Sequence, residues 1–200
     1  MKEATPSEKI LALARERKII RSRDIGKIPT MHLGRLVRKG QLVRLGWGIY
    51  SLPDGRSTEH HSLAVVAKLA PRSVVCLVSA LRFHELTTQQ PNEVWLAIEN
   101  KSWVPTVDAV QLRIIRFTGE ALKAGVKSHE IEGVSVRVFN PAKTVADCFK
   151  HRNTIGLDVA IEALKDALKR KKATVDEIER YAKICRVSRI IRPYLEMALA

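Results

Sequence analysis

Two hundred residues allow one large domain or two small ones, and a hydrophobic share of 46% with varied composition marks a folded chain. A net charge of +14 points to a polyanionic partner. Three widely spaced cysteines (Cys76, Cys148, Cys185) argue against a disulfide framework or a zinc ribbon and fit a reducing cytosol. No apolar run nears the ~20 residues that span a bilayer, and the start lacks a signal-peptide apolar core.

The first predicted helix begins at Pro6-Ser7, with Ser7 as cap and Ile10, Leu11, Leu13 and Ala14 on its core side. Arg15, Arg17 and Lys18 lie near its end, where cations suit the helix dipole. Residues 21–52 (RSRDIGKIPTMHLGRLVRKGQLVRLGWGIYSL) read as two short helices, a turn and a β-hairpin. Ser22 is the expected cap of the first, and Gly26-Lys27-Ile28-Pro29 breaks it, since a residue before proline leaves the α region. Thr30 caps the second helix, which stops at Gly40. Leu33, Leu36 and Val37 share one face of it; His32, Gly34, Arg35, Arg38 and Lys39 take the other. Gly34 costs a helix about 1 kcal/mol against alanine. Residues 42–45 and 49–52 are strand-like, and Gly46 and Gly48 flank the tip, where a hairpin needs positive φ.

Helix, turn, basic helix and basic hairpin make the layout of a winged helix-turn-helix domain, with the second helix in the major groove. Charge is densest there: residues 1–57 hold 13 Lys/Arg against 5 Asp/Glu, the remaining 143 hold 22 against 16. Such a domain binds DNA in a salt-sensitive way. The turn-rich 53–57 is the expected boundary, giving a DNA-binding domain at 1–57 and a second domain at 58–200.

In the second part, 58–69 reads as a helix whose adjacent His60 and His61 point apart, which suits packing or a solvated turn better than metal. Residues 74–86 begin as a strand or buried helix start and continue as a helix. Residues 93–98 and 112–117 are strands, Trp103 lies in a loop between them, and 128–132 with 134–139 form a hairpin about Gly133; together these predict one sheet. Asn140 caps a helix with Pro141 at its first position, turning Val145, Ala146 and Phe149 inward. An amphipathic helix at 156–169 ends in the basic run 169–172, and Thr174 with Glu177 forms a capping box for the next. The last segment, from 188 to 199, is expected to bend or restart at Pro193. Strands first and helices later make this part α+β, so the fold class is a winged helix-turn-helix followed by an α+β domain.

VCLVSALRFHELTTQ (75–89) resembles the central signature of AbiEi-type antitoxins, described as regulators of viral defence systems, and NPAKTVADCF (140–149) resembles their second signature. AIEAL (160–164) and RPYL (192–195) are similar to the helical tail, and the winged helix is similar to the family's first domain. The resemblance implies an antitoxin of a type IV toxin-antitoxin system in the cytoplasm. It implies repression of the protein's own operon at promoter inverted repeats, as a monomer in solution or a dimer on DNA. It also implies that the C-terminal domain counteracts a nucleotidyltransferase-like toxin, with no stable complex required. A solitary regulator without a toxin is the alternative it leaves open.

Arginine suits bidentate contact with guanine, so Arg35, Arg38 and His32 are expected to face the major groove. Ser22, Arg23, Thr30 and Lys39 are expected to hold phosphates. Arg44 and Trp47 on the wing reach backbone or minor groove; packing of Trp47 between wing and helix is an equal reading. Ser79 and His84 read as structural groups, since no Gly-x-Ser-x-Gly elbow surrounds the serine. Lys143 and Asp147 read as a surface i, i+4 pair, with Thr144 beside them. A metal-dependent nuclease needs clustered carboxylates, and Glu162 with Lys165 lacks a partner carboxylate on a strand. No catalytic residue, metal or cofactor is expected, nor a membrane partner.

Overall fold

The computed structural model describes residues 4–53, 59–105, 107 and 110–199. The expected boundary at 53–57 therefore lies mostly outside the described residues.

Helix α1 (Pro6–Arg17) starts in a capping box. Thr5, not Ser7, is the cap. Its hydroxyl accepts from the Glu8 N–H, and the Glu8 carboxylate accepts from the Thr5 N–H at 2.7 Å. Pro6 then occupies the first helical position, where its missing N–H costs nothing. Strand β1 (Ile19–Arg21) follows directly and was not foreseen. A 3₁₀ turn (Ser22–Ile25) comes next, and its cap also differs from expectation. Asp24 reaches back to accept the Arg21 N–H at 2.8 Å, while the Ser22 N–H donates to the Gly48 carbonyl at 2.8 Å.

Helix α2 (Met31–Arg38) buries Leu33 and Leu36 against Ile10, Ala14, Ile20, Ile25 and Leu42. Truncating either leucine to alanine costs about 2–5 kcal/mol. Thr30 stands at its cap position but makes no side-chain cap bond. Gly40, at φ +65°, ends the helix. Its N–H donates to Val37 and the Gln41 N–H donates to Leu36, the paired bonds of a Schellman stop. Strands β2 (Val43–Gly46) and β3 (Ile49–Ser51) form the hairpin. They complete an antiparallel sheet in the order β1-β3-β2, with Tyr50 between Ile20 and Arg44. Only Gly48 takes positive φ at the tip; Gly46 stays in the strand, opposite Ile49, after a register irregularity.

Helix α3 (His61–Leu69) buries Leu63 through Val66. Strand β4 (Val74–Val75) leads into helix α4 (Leu77–Phe83), and strands β5 (Glu93–Glu99) and β6 (Gln111–Phe117) follow. The short helix α5 (Glu120–Lys123) comes next. Strands β7 (Val126–Ile131) and β8 (Val134–Phe139) then meet about Glu132 and Gly133, both at positive φ as a two-residue hairpin turn needs. The expected single sheet forms in the order β6-β5-β4-β8-β7, with β4 antiparallel to β5 and parallel to β8.

Helix α6 (Pro141–Lys150) carries the expected Asn140 cap, whose side-chain Oδ1 accepts the Lys143 N–H at 2.9 Å. Helices α7 (Arg152–Ile155), α8 (Leu157–Lys169), α9 (Val175–Cys185) and α10 (Ser188–Leu199) follow. Thr174 and Glu177 form their capping box, and α10 runs through Pro193 without restarting. Helix α6 packs against α4, α8, α9 and α10, so it is buried on every side rather than along one stripe.

Contacts divide the chain into two compact units. The first comprises Met1–Pro71, Pro105–Gln111 and Glu130–Val136, and so takes in α3; the second comprises the rest. The whole is α+β, with a winged helix at its start. No helix among the described residues is long and apolar enough to cross a membrane.

Candidate nucleic-acid interface

The core side of α2 is set by Leu33 and Leu36, and helical geometry then dictates what points away from it. At about 100° per residue, the outward arc runs through Gly34, Arg38, Met31, Arg35, Lys39 and His32. All of these except His32 are exposed. His32 is half-buried, and its Nδ1 meets no hydrogen-bond partner among the described residues. Thr30 and Arg23 are exposed at the two sides of the turn that precedes α2, and Ser22 is half-buried against the wing. The side chain of Ser22 lies so near Gly48 that a Cβ there would stand 2.9 Å from its Oγ. A side chain at 48 meets both this crowding and the positive φ.

On the wing, Arg44 and Trp47 act as one feature. The guanidinium lies over the indole, 5.5 Å from its centroid, and Arg44 Nε donates to the Gly46 carbonyl at 3.3 Å. Trp47 is 84% exposed, which removes the alternative in which it packs between wing and helix. The indole at the hairpin tip is thus outside the core.

Asp24 faces Lys68 at 3.8 Å. Burial pushes the Lys68 amine below its ordinary value; Asp24 opposes this, while Arg21, Arg17 and Arg23 add to it. Burial likewise lowers Arg21, with Arg23 adding to it and Asp24 opposing. Lys68 and Arg21 thus both feel the Asp24 carboxylate together with neighbouring arginines. Sequence reasoning missed Met31, 64% exposed in the middle of the α2 arc; its position directly opposite Leu33 and Leu36 on the helical wheel was the available signal.

In the second unit Ser79, His84, Lys143, Thr144 and Asp147 all have structural partners. Ser79 Oγ accepts the Trp95 N–H at 2.9 Å, and His84 Nε2 lies 2.7 Å from the Phe139 carbonyl, as their structural reading required. The Lys143–Asp147 expectation is overturned: the pair is not on the surface but fully buried, with Nζ 2.5 Å from Oδ2. The Lys143 ammonium also stands over the rings of Phe139 and Phe117, at 4.1 and 5.0 Å, and Asp147 Oδ1 accepts from the Cys185 thiol at 3.2 Å. Thr144 is buried beside them and donates to the Asn140 carbonyl at 2.8 Å. Burial pushes the Asp147 carboxyl up, with Lys143 drawing it back. The reason for the error is local: an i, i+4 spacing is the same whether a helix lies on a surface or runs through a core. His61 Nδ1, in the first unit, meets the Glu132 carboxylate at 2.7 Å. Among the described residues no group of three His, Cys, Asp or Glu could hold a metal ion.

Residues 8–53, from α1 to the end of the wing, match the family described as "Transcriptional regulator, AbiEi antitoxin". No curated protein matches the chain in sequence. Among solved structures the chain is similar to the crystal structure of the RV2827C protein from Mycobacterium tuberculosis, with 16% identity and a TM-score of 0.63, over 91% of this chain and 72% of that one. At that identity the likeness speaks for the fold alone.

Proposed function

We propose that this chain, whose residues 8–53 form a transcriptional-regulator module of the AbiEi-antitoxin type, represses its own operon by binding inverted repeats in the promoter. The observation that carries the reading is the outward face of α2, where Arg35 and Arg38 stand exposed beside a wing bearing Arg44 and Trp47. In this reading Arg35 and Arg38 read guanines in the major groove, and His32 lies at the edge of that face. Ser22, Arg23, Thr30 and Lys39 hold phosphates in this reading, and the Ser22 N–H also ties the 3₁₀ turn to the wing. Arg44 and Trp47 meet backbone or minor groove. Residues 58–200 are assigned the counteraction of a nucleotidyltransferase-like toxin, a role supported by the family description over 8–53 and by the signatures at 75–89 and 140–149.

The test is the affinity of the full chain for DNA lying directly upstream of its own gene and for a shuffled duplex, at two salt concentrations. Tighter binding to the upstream DNA is expected. A fourfold rise in salt weakens it by roughly a hundredfold if about four phosphates are contacted. Equal binding to both duplexes contradicts operator recognition. Co-expression with the neighbouring gene product tests the antitoxin role: relief of that product's toxicity supports it, and an unrelieved or harmless neighbour leaves a solitary regulator.

A further inference from the structure

Gly34 sits in the middle of α2 without a reason supplied by the fold. Gly26, Gly40 and Gly48 all take positive φ, which glycine alone adopts freely. Gly34 is in right-handed helix, where glycine is among the weakest formers. It is exposed, and a Cβ built on it would meet nothing within 4 Å. Neither crowding nor backbone geometry therefore excludes alanine. One turn before it is Met31, 64% exposed and farthest from the core, where a large apolar side chain adds no burial. The two stand at i and i+3, neighbours on the helix surface. Arg35 and Arg38 flank Met31 on the wheel, so the exposed Met31 and the open space at Gly34 lie among cations.

We propose that Met31 and the bare backbone at Gly34 form a notch that receives the 5-methyl group of a thymine in the major groove. The inference rests on the reading of α2 as the recognition helix. That methyl is the apolar group which normal base pairs present on the major-groove edge, and it is read by apolar contact rather than by hydrogen bonds. Arg35 and Arg38 bring the helix into the groove and read guanine. Met31 supplies a flexible, polarisable wall to the notch. The missing Cβ at 34 lets the base edge approach the helix backbone closely.

The experiment compares two probes, both made by amplifying the DNA directly upstream of the protein's own gene, one with thymidine and one with deoxyuridine, which lacks only the methyl. The full chain is expected to bind the uracil probe about fourfold more weakly for each methyl it contacts. Met31→Ala is expected to weaken binding to the thymine probe and to lose the distinction between the probes. Gly34→Ala is expected to raise the melting temperature by about 2–4 °C while weakening binding to the thymine probe; a merely structural glycine does not move the two in opposite directions. Equal binding of the native chain to both probes overturns the notch and leaves DNA recognition standing. So does a Met31→Ala variant that keeps the native preference, or a Gly34→Ala variant that binds as the native chain does. Failure of the native chain to bind either probe overturns the notch together with the reading of α2.

Discussion

Single residues show where a one-dimensional reading has force and where it stops. The division of α2 into Leu33 and Leu36 inside and Arg35, Arg38 and Lys39 outside was legible, because 3.6-residue periodicity and burial obey the same geometry. Arg35→Ala is expected to lose preference for upstream DNA over shuffled DNA by about 10- to 100-fold, with an unchanged melting temperature, since an exposed side chain adds little to the fold. Competition binding checks the first part and calorimetry the second. The Lys143–Asp147 pair was not legible, because its depth depends on α4, α8, α9 and α10 closing over α6. Lys143→Met alone is expected to cost about 3–5 kcal/mol, since it leaves Asp147 buried without its cation. Replacing both partners, Lys143→Met with Asp147→Leu, is expected to recover most of that loss. Urea denaturation of the three proteins decides it, and equal losses for single and double variants would contradict the account.

At the scale of elements, caps and turns carried the reading best where a single residue type answers a single need. Asn140 before Pro141, Gly40 after α2, and the Thr174–Glu177 box are all in place. The misplaced caps at Ser7 and Ser22 have a common cause: Thr5 with Glu8, and Asp24 with the Arg21 N–H, offered the same chemistry close by in the chain. Strand β1 escaped notice because it is three residues long and follows a helix with no turn signal between. The Asn140 side chain caps α6 and also donates to the Tyr181 hydroxyl at 2.8 Å. Asn140→Ala is therefore expected to cost at least about 1 kcal/mol in denaturant melts, and Pro141→Ala to be mild.

The C-terminal end of α4 carries a pH prediction at the same scale. Burial holds His84 below the usual histidine value of 6.5, the Phe139 carbonyl opposes this, and His129 and Lys172 add to it. Burial lowers His151 in the same direction, with Lys150 and Lys143 adding to it. A lowered native value means the unfolded chain takes the proton first. Stability from these neutral rings is therefore present above pH 6.5 and is lost as pH falls from there through the native values. Melting temperature measured downward from neutral pH is expected to fall, and His84→Gln is expected to lessen the slope.

For the whole molecule, composition points to a polyanionic partner, and Arg35, Arg38 and Lys39 stand exposed on α2. The sequence changes from a basic helical stretch to a strand-then-helix pattern, the ground for expecting a DNA-binding domain at 1–57 and a second at 58–200. The first compact unit is assembled from three separate segments of chain, an arrangement set by tertiary contacts and not by sequence order. Deleting residues 1–57 is expected to abolish DNA binding and repression while sparing neutralisation of a toxin in co-expression; loss of both would contradict the proposed division of labour. Each of these roles for α2 depends on its entering the major groove, and guanine N7 lies on that groove's edge. Methylation of guanine N7 in the upstream DNA, followed by selection for fragments still bound by the full chain, tests that placement most directly. The account predicts that methylation at a few discrete guanines blocks binding and that Arg35→Ala erases the effect at one of them in each half-site; binding indifferent to guanine methylation would contradict it.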